Sequence, residues 1–197
     1  MKPVSAFVAL CLFGLGAQAE GICPTAEHRG HPVRLTFAEG YQEVHRSDGN
    51  GLWHIDVYEE SERIYEIEVA HGTHMLRFAD VFDGAPEYAT QTRYDYGMPI
   101  AEMPVPVPGG RWQVDVEVSG PDGVRPEPQR QAYGAETEVA IGGCRYRMIP
   151  VLIAYDTDDQ YVEEVHFLPD LGLGYLVDSH TATDSGAPSE PVKIALD

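Results

Sequence analysis

The sequence is poor in basic residues, with 13 lysines and arginines against 32 aspartates and glutamates. The 197-residue chain therefore carries a formal net charge of −19. Because such a charge repels phosphate backbones, we predict that the protein does not bind nucleic acid. An excess of acids is typical of a well-hydrated, salt-tolerant surface, and a dedicated cation-binding face is the less favoured alternative.

Long apolar runs are also missing, apart from one near the start of the chain. This run, Val8 to Leu15, is too short to cross a bilayer, which takes about 20 residues. Lys2 before it and Ala17-Gln18-Ala19 after it complete the pattern of a secretory signal peptide. We therefore predict a signal peptide over residues 1–19, no transmembrane segment, and a periplasmic or secreted protein.

Cysteines are few. Cys11 lies in the predicted signal peptide, which leaves Cys23 and Cys144 in the exported chain. Two cysteines in an oxidising compartment predict one disulfide bond. A reactive or metal-binding thiol is the alternative, but no C-x-x-C motif is present. Lipid anchoring is also less favoured, because neither Cys11 nor Cys23 follows a small residue.

The sequence contains no G-x-S-x-G elbow, no phosphate-binding glycine loop and no H-E-x-x-H motif. We therefore expect no cofactor and lean towards a protein that is not an enzyme. A hydrolase with an unrecognised site stays open as an alternative.

No segment has the 3.6-residue apolar period of an amphipathic helix. Instead, apolar and polar residues alternate between turns rich in Gly, Pro and Asp, which predicts antiparallel β-strands. Two segments, Gly120–Gln131 and Ser185–Lys193, have the composition of loops. The alternating segments are Val33–Phe37, Trp53–Val57, Tyr65–Val69, Trp112–Val118 and Tyr161–Phe167.

Parts of the chain resemble each other. "GLWHIDV" at Gly51–Val57 matches "GRWQVDV" at Gly110–Val116, and "EIEVAHGTH" at Glu66–His74 matches "ETEVAIGGC" at Glu136–Cys144. The order of the matches is kept, and the larger of two excesses of residues falls in Gly120–Gln131, which has loop composition. This pattern indicates a duplicated β unit, although strands and turns drawing on a small set of residues could also produce it.

A proline-rich stretch, residues 104–108, separates the two halves. We predict an all-β fold of two tandem, related antiparallel units, built as curved sheets in a sandwich or as half-barrels. The first unit spans residues 20–103, residues 104–108 form the linker, and the second unit spans residues 109–197. The two units could form one compact domain.

Two histidines three residues apart, His71 and His74 in "EVAHGTHM", are the candidate metal ligands. Residues three apart in a strand point to opposite faces, so they converge on one metal only if Gly72 bends the chain. A zinc site needs three or four ligands, which His28 and His31 could complete. The alternative is a structural turn without metal.

The segment "HFLPDLGLGYLVD", His166–Asp178, is similar to the closing strands of curved β-sheet proteins exported to the bacterial periplasm, including half-barrel lipoprotein carriers. This resemblance implies a ligand, such as an acyl chain, on a concave sheet face, and it assigns no functional residue. The favoured function is an exported, non-catalytic binding or structural module. A metal-binding protein using His71 and His74 is the first alternative, and the hydrolase is the second. The sequence does not identify the ligand, the partner or the oligomeric state.

Overall fold

The computed structural model describes residues 22–157, 160–184 and 186–197, so the predicted signal peptide lies outside the described residues. The described part is all-β, as predicted. It contains no helix long and apolar enough to cross a membrane. Its only helical segments are three single turns of 3-10 helix, at Ala26–His28, Tyr88–Thr90 and Ile100–Glu102.

The described residues form fourteen strands. In chain order they are β1 Val33–Phe37, β2 Gln42–Ser47, β3 Leu52–Glu59, β4 Glu62–Ala70, β5 His74–Phe82, β6 Ala85–Pro86, β7 Thr92–Asp95, β8 Arg111–Gly120, β9 Gly123–Tyr133, β10 Thr137–Ile141, β11 Cys144–Tyr155, β12 Val162–Leu168, β13 Leu173–His180 and β14 Pro191–Leu196.

These strands build one open antiparallel sheet. Its order is β13-β12-β11-β9-β8-β7-β5-β4-β3-β2-β1-β14, with β10 beside β11 and β6 beside β5. Most neighbours are consecutive in sequence and are joined by short turns. The last strand, β14, returns to the beginning of the chain and pairs with β1, with Leu196 opposite Val33. The loop predicted for residues 185–193 is therefore wrong from Pro191 onward.

The predicted loop at residues 120–131 is also wrong, because most of it is strand β9. Pro126 and Pro128 of β9 pair with β8. Pro128 accepts a hydrogen bond from the Asp156 N–H at 2.9 Å on its other side. Since the nitrogen and carbonyl of a strand residue face the same way, the donor that Pro128 lacks also points away from β8. β9 pairs with β11 only from Gln129 onward, so the prolines remove no hydrogen bond from a ladder.

One hydrophobic cluster contains residues of both predicted units. Leu35 of β1 and Trp53 of β3 belong to the same buried cluster as Tyr146 of β11 and Leu173 of β13. The sheet therefore folds over so that β1, β3, β4 and β14 pack against β10, β11 and β13. The two predicted units therefore share a cluster, and the boundary between them stays a prediction.

The predicted repeat corresponds to two hairpins in each half, and the hairpins of the two halves differ in detail. In the first half, β3 pairs with β4, and a three-residue turn joins β4 to β5. In the second half, β8 pairs with β9, and a two-residue turn joins β10 to β11. Trp53 is buried, whereas its counterpart Trp112 is only partly buried between two smaller clusters. The duplication itself stays a prediction.

The predicted disulfide between Cys23 and Cys144 is present, with Cα atoms 5.7 Å apart. It joins the segment before β1 to the first residue of β11. Arg29 fixes the same segment to the second half, because its guanidinium donates hydrogen bonds to the carbonyls of Pro169 and Asp170 at 2.9 and 3.0 Å. The amino-terminal segment is thereby held across the fold.

The turn between β4 and β5 also contacts the second half. Gly72 has a φ of +74°, and a Cβ atom at this position would lie 2.7 Å from the Gly174 nitrogen and 2.9 Å from the Gly172 carbonyl oxygen. Glycine is needed here both for the left-handed backbone and for this close approach.

Candidate functional site

A cavity of about 130 Å³ lies between the two folded halves of the sheet. Its walls are formed mainly by apolar residues of facing strands. Its mouth lies beside Leu176, whose side chain is 41% exposed. One wall contains Ile55 of β3, Ile67 and Val69 of β4 and Met75 of β5, and the other contains Ile153 of β11, Val165 of β12 and Leu176 of β13.

Polar side chains interrupt these walls. Among the described residues that line the cavity there is no lysine, arginine or histidine, whereas Glu43 and Glu163 contribute two carboxyl groups. Three tyrosines complete the polar part of the lining, and burial raises the pKa of each of them, so they stay neutral at physiological pH. These tyrosines are Tyr96, Tyr155 and Tyr175.

Glu163 of β12 accepts hydrogen bonds from two tyrosines. The Tyr155 hydroxyl donates to Oε2 at 2.5 Å, and the Tyr161 hydroxyl donates to Oε1 at 3.2 Å. Burial raises the pKa of Glu163 and the negative charge of Glu127 adds to this rise, while the two hydrogen bonds act in the opposite direction. No lysine, arginine or histidine in residues 22–157, 160–184 and 186–197 forms an ion pair with Glu163.

The second carboxyl group has a partner within the protein. Glu43 and His45 lie on the same face of β2, and Glu43 Oε2 is 2.8 Å from His45 Nε2. Both residues are buried, at 9% and 1% exposure. Of the two cavity carboxyl groups, Glu163 is thus the one without a basic neighbour.

A threonine hydroxyl adds a further polar group at the cavity. Thr73 lies in the Gly72 turn, is 5% exposed and lines the cavity. Its Oγ1 is buried and has no hydrogen-bond partner among the described residues. An unmade hydrogen bond of this kind costs about 1–3 kcal/mol, so a buried unpartnered group calls for an explanation.

His74 contacts neighbouring chain segments through both ring nitrogens. It is fully buried, and its Nε2 donates to the Pro104 carbonyl at 2.7 Å. Its Nδ1 accepts from Gln131 Nε2 at 3.2 Å. Burial lowers the pKa of His74 to about 4, so the imidazole is neutral at physiological pH.

His71 sits in the turn with a φ of +50° and donates from Nε2 to the Ile100 carbonyl at 2.8 Å. His71 therefore contacts the segment before the proline-rich linker, and His74 contacts the first residue of the linker. His28 lies in the 3-10 helix before β1, where its Nδ1 accepts a hydrogen bond from the Thr25 N–H at 3.0 Å. The described residues contain no group of three or more His, Cys, Asp or Glu side chains that could hold a metal ion. The metal site at His71 and His74 stays a prediction.

Thr73, Tyr155 and Glu163 are not among the candidate residues predicted from the sequence. One signal for Glu163 was present. In Tyr161–Phe167 the inward positions of the strand are 163, 165 and 167. The first of these positions holds an acid, Glu163, whereas the other two hold the apolar residues Val165 and Phe167. An acid at an inward position is a candidate functional residue.

Comparison with known proteins assigns neither a family nor a function to the chain. No family model and no curated protein matches the chain. Among solved structures, the hypothetical lipoprotein YmcC from Escherichia coli K12 is 11% identical, with a TM-score of 0.46 over 84% of this chain and 86% of that one.

Proposed function

We propose that the protein is an exported, non-catalytic binding protein that holds a small, mainly apolar molecule, or the end of a larger one, in the cavity. The observation that carries this proposal is the cavity itself, in which apolar walls surround a few polar groups, among them the carboxyl group of Glu163, which has no basic partner among the described residues. This combination is typical of small-molecule sites.

The volume limits the size of the bound group. A cavity of about 150 Å³ in another protein holds a benzene molecule. The cavity of about 130 Å³ therefore suits one aromatic ring or a short alkyl segment. It is too small for a whole acyl chain of the kind that lipoprotein carriers hold.

The disulfide supports export, because such bonds persist mainly in oxidising compartments. We propose the periplasm or the extracellular medium as the location. The metal-binding alternative at His71 and His74 and the hydrolase alternative stay predictions, and elemental analysis of protein purified without a histidine tag tests the first.

Fluorine NMR with fluorobenzyl alcohol as a probe tests the proposal. We expect the signal of the probe to broaden in the presence of the wild-type protein. Val165→Phe fills the cavity and should abolish the broadening, whereas the matched variant Val192→Phe places the same ring at a residue that is 54% exposed and should leave it unchanged. Absence of broadening with the wild type, or equal broadening with the folded Val165→Phe variant, would overturn the proposal.

A further inference from the structure

The charges around the cavity are one-sided. Its lining has two carboxyl groups and, among the described residues, no basic side chain. The protein as a whole carries a formal charge of −19. An anionic ligand would therefore lose its hydration without gaining an opposite charge.

Glu163 is arranged to accept hydrogen bonds. Both of its oxygens receive a tyrosine hydroxyl, from Tyr155 at Oε2 and from Tyr161 at Oε1. A carboxylate oxygen has room for more than one donor, so Glu163 can accept a further hydrogen bond from a ligand. A partly buried carboxylate is stabilised most by a positively charged donor, and the described residues supply none.

Two tyrosine rings, those of Tyr155 and Tyr161, lie beside this carboxyl group, because their hydroxyls donate to it. Tyr96, Tyr155 and Tyr175 line the same cavity, and the rings of Tyr155 and Tyr161 are 5.4 Å apart between centroids. The face of an aromatic ring attracts cations, and aromatic cages with a nearby acid bind organic ammonium groups.

From this geometry we infer that the ligand is a small organic cation, an ammonium group on an apolar body, with the ammonium against Glu163 and the apolar part between Val69, Ile153 and Val165. The inference rests on the proposed function and names its ligand class. A neutral ligand would leave Glu163 without a positive partner. A bare metal ion would find apolar walls where it needs several oxygen or nitrogen ligands.

Three probes of nearly equal shape test the charge of the ligand: benzylammonium, benzyl alcohol and benzoate. Their affinities for the full exported chain are measured by isothermal titration calorimetry at physiological ionic strength, which weakens long-range charge effects. We expect the affinity for benzylammonium to be at least about tenfold higher than that for benzyl alcohol, because one charge-assisted hydrogen bond contributes about this much. Benzoate should bind most weakly.

Two variants that remove the same charge locate the effect. Glu163→Gln should abolish the preference for benzylammonium, so that it binds about as tightly as benzyl alcohol. Glu164→Gln should keep it, because Glu164 lies next along β12 and pairs with His166 at 3.2 Å rather than lining the cavity.

The possible outcomes separate the two proposals. If benzyl alcohol binds as tightly as benzylammonium to the wild type, or if the preference survives in Glu163→Gln, the inferred ligand class is wrong and the proposed binding function stands. If none of the probes binds to the wild type, both are wrong. The wild-type comparison decides the question even if Glu163→Gln does not fold.

Discussion

Acidification should destabilise the protein through His74. Its imidazole is fully buried and neutral between Pro104 and Gln131. Burial lowers its pKa to about 4, compared with about 6.5 for an exposed histidine. The unfolded chain therefore binds a proton more readily than the folded protein between these two values. The contribution of the neutral ring is fully present above about pH 6.5 and is lost as the pH falls towards 4.

The size of this effect follows from the two pKa values. A difference of about 2.5 in pKa corresponds to about 3 kcal/mol of unfolding free energy, most of which is lost by pH 4. Other groups titrate over the same range, and the raised pKa of Glu163 acts in the opposite direction. A comparison between variants cancels their contributions.

The assay is urea unfolding of the wild type and His74→Gln at pH 7 and pH 4. Glutamine has no titrating group here and can still donate to the Pro104 carbonyl. The unfolding free energy of the wild type should fall by about 3 kcal/mol more than that of His74→Gln. The control His31→Gln changes an exposed histidine and should follow the wild type. Equal losses in the wild type and His74→Gln would refute the reasoning.

Two other features of the fold are open to similar tests. The Cys23–Cys144 bond closes a loop with a sequence separation of 121. Replacing both cysteines by alanine should therefore lower the unfolding free energy by up to about 5 kcal/mol in urea titrations. Unchanged stability would contradict a structural role for the bond. Gly72 and Gly84 have nearly the same φ, +74° and +77°, but a Cβ has open space at Gly84 and meets Gly174 at Gly72. Gly72→Ala should therefore lower the unfolding free energy by about 2 kcal/mol more than Gly84→Ala in urea titrations. Equal losses would show that the contact between the halves does not contribute to stability.

The strand pattern and the disulfide could be predicted from the sequence because each depends on short-range or compartment rules. In β1, Val33, Leu35 and Phe37 alternate with polar residues, and all three are buried. Period-two alternation has this meaning for any sheet with one buried face. The Cys23–Cys144 pairing needed only the count of cysteines outside the predicted signal peptide.

The strands β9 and β14 could not be predicted, because their partners decide their conformation. The segment that contains Pro126 and Pro128 has the composition of a loop. It can still form a strand, because the N–H donors that the two prolines lack would face away from β8. Residues Pro191–Leu196 form a strand because β1, far away in sequence, offers them an edge. Contacts of this kind are invisible to local propensity.

The cavity could not be predicted because strands distant in sequence assemble it. Thr73 comes from the turn before β5, and Glu163 comes from β12. The histidines of "EVAHGTHM" stood out as residue types, but their Nε2 atoms donate to backbone carbonyls of residues 100 and 104. An inward position for Glu163 was the one local clue, and a single acid in a strand is weak evidence without the fold around it.

The central claim is that the space between the folded halves is a binding site. Methyl NMR spectra recorded with and without benzylammonium test it most directly. Binding in the cavity should shift the methyl signals of Ile153 and Val165, which line it, and leave that of the exposed Val192 in place. Shifts confined to Val192 and other exposed methyl groups, or no shift at Ile153 and Val165 at saturating probe, would contradict the claim.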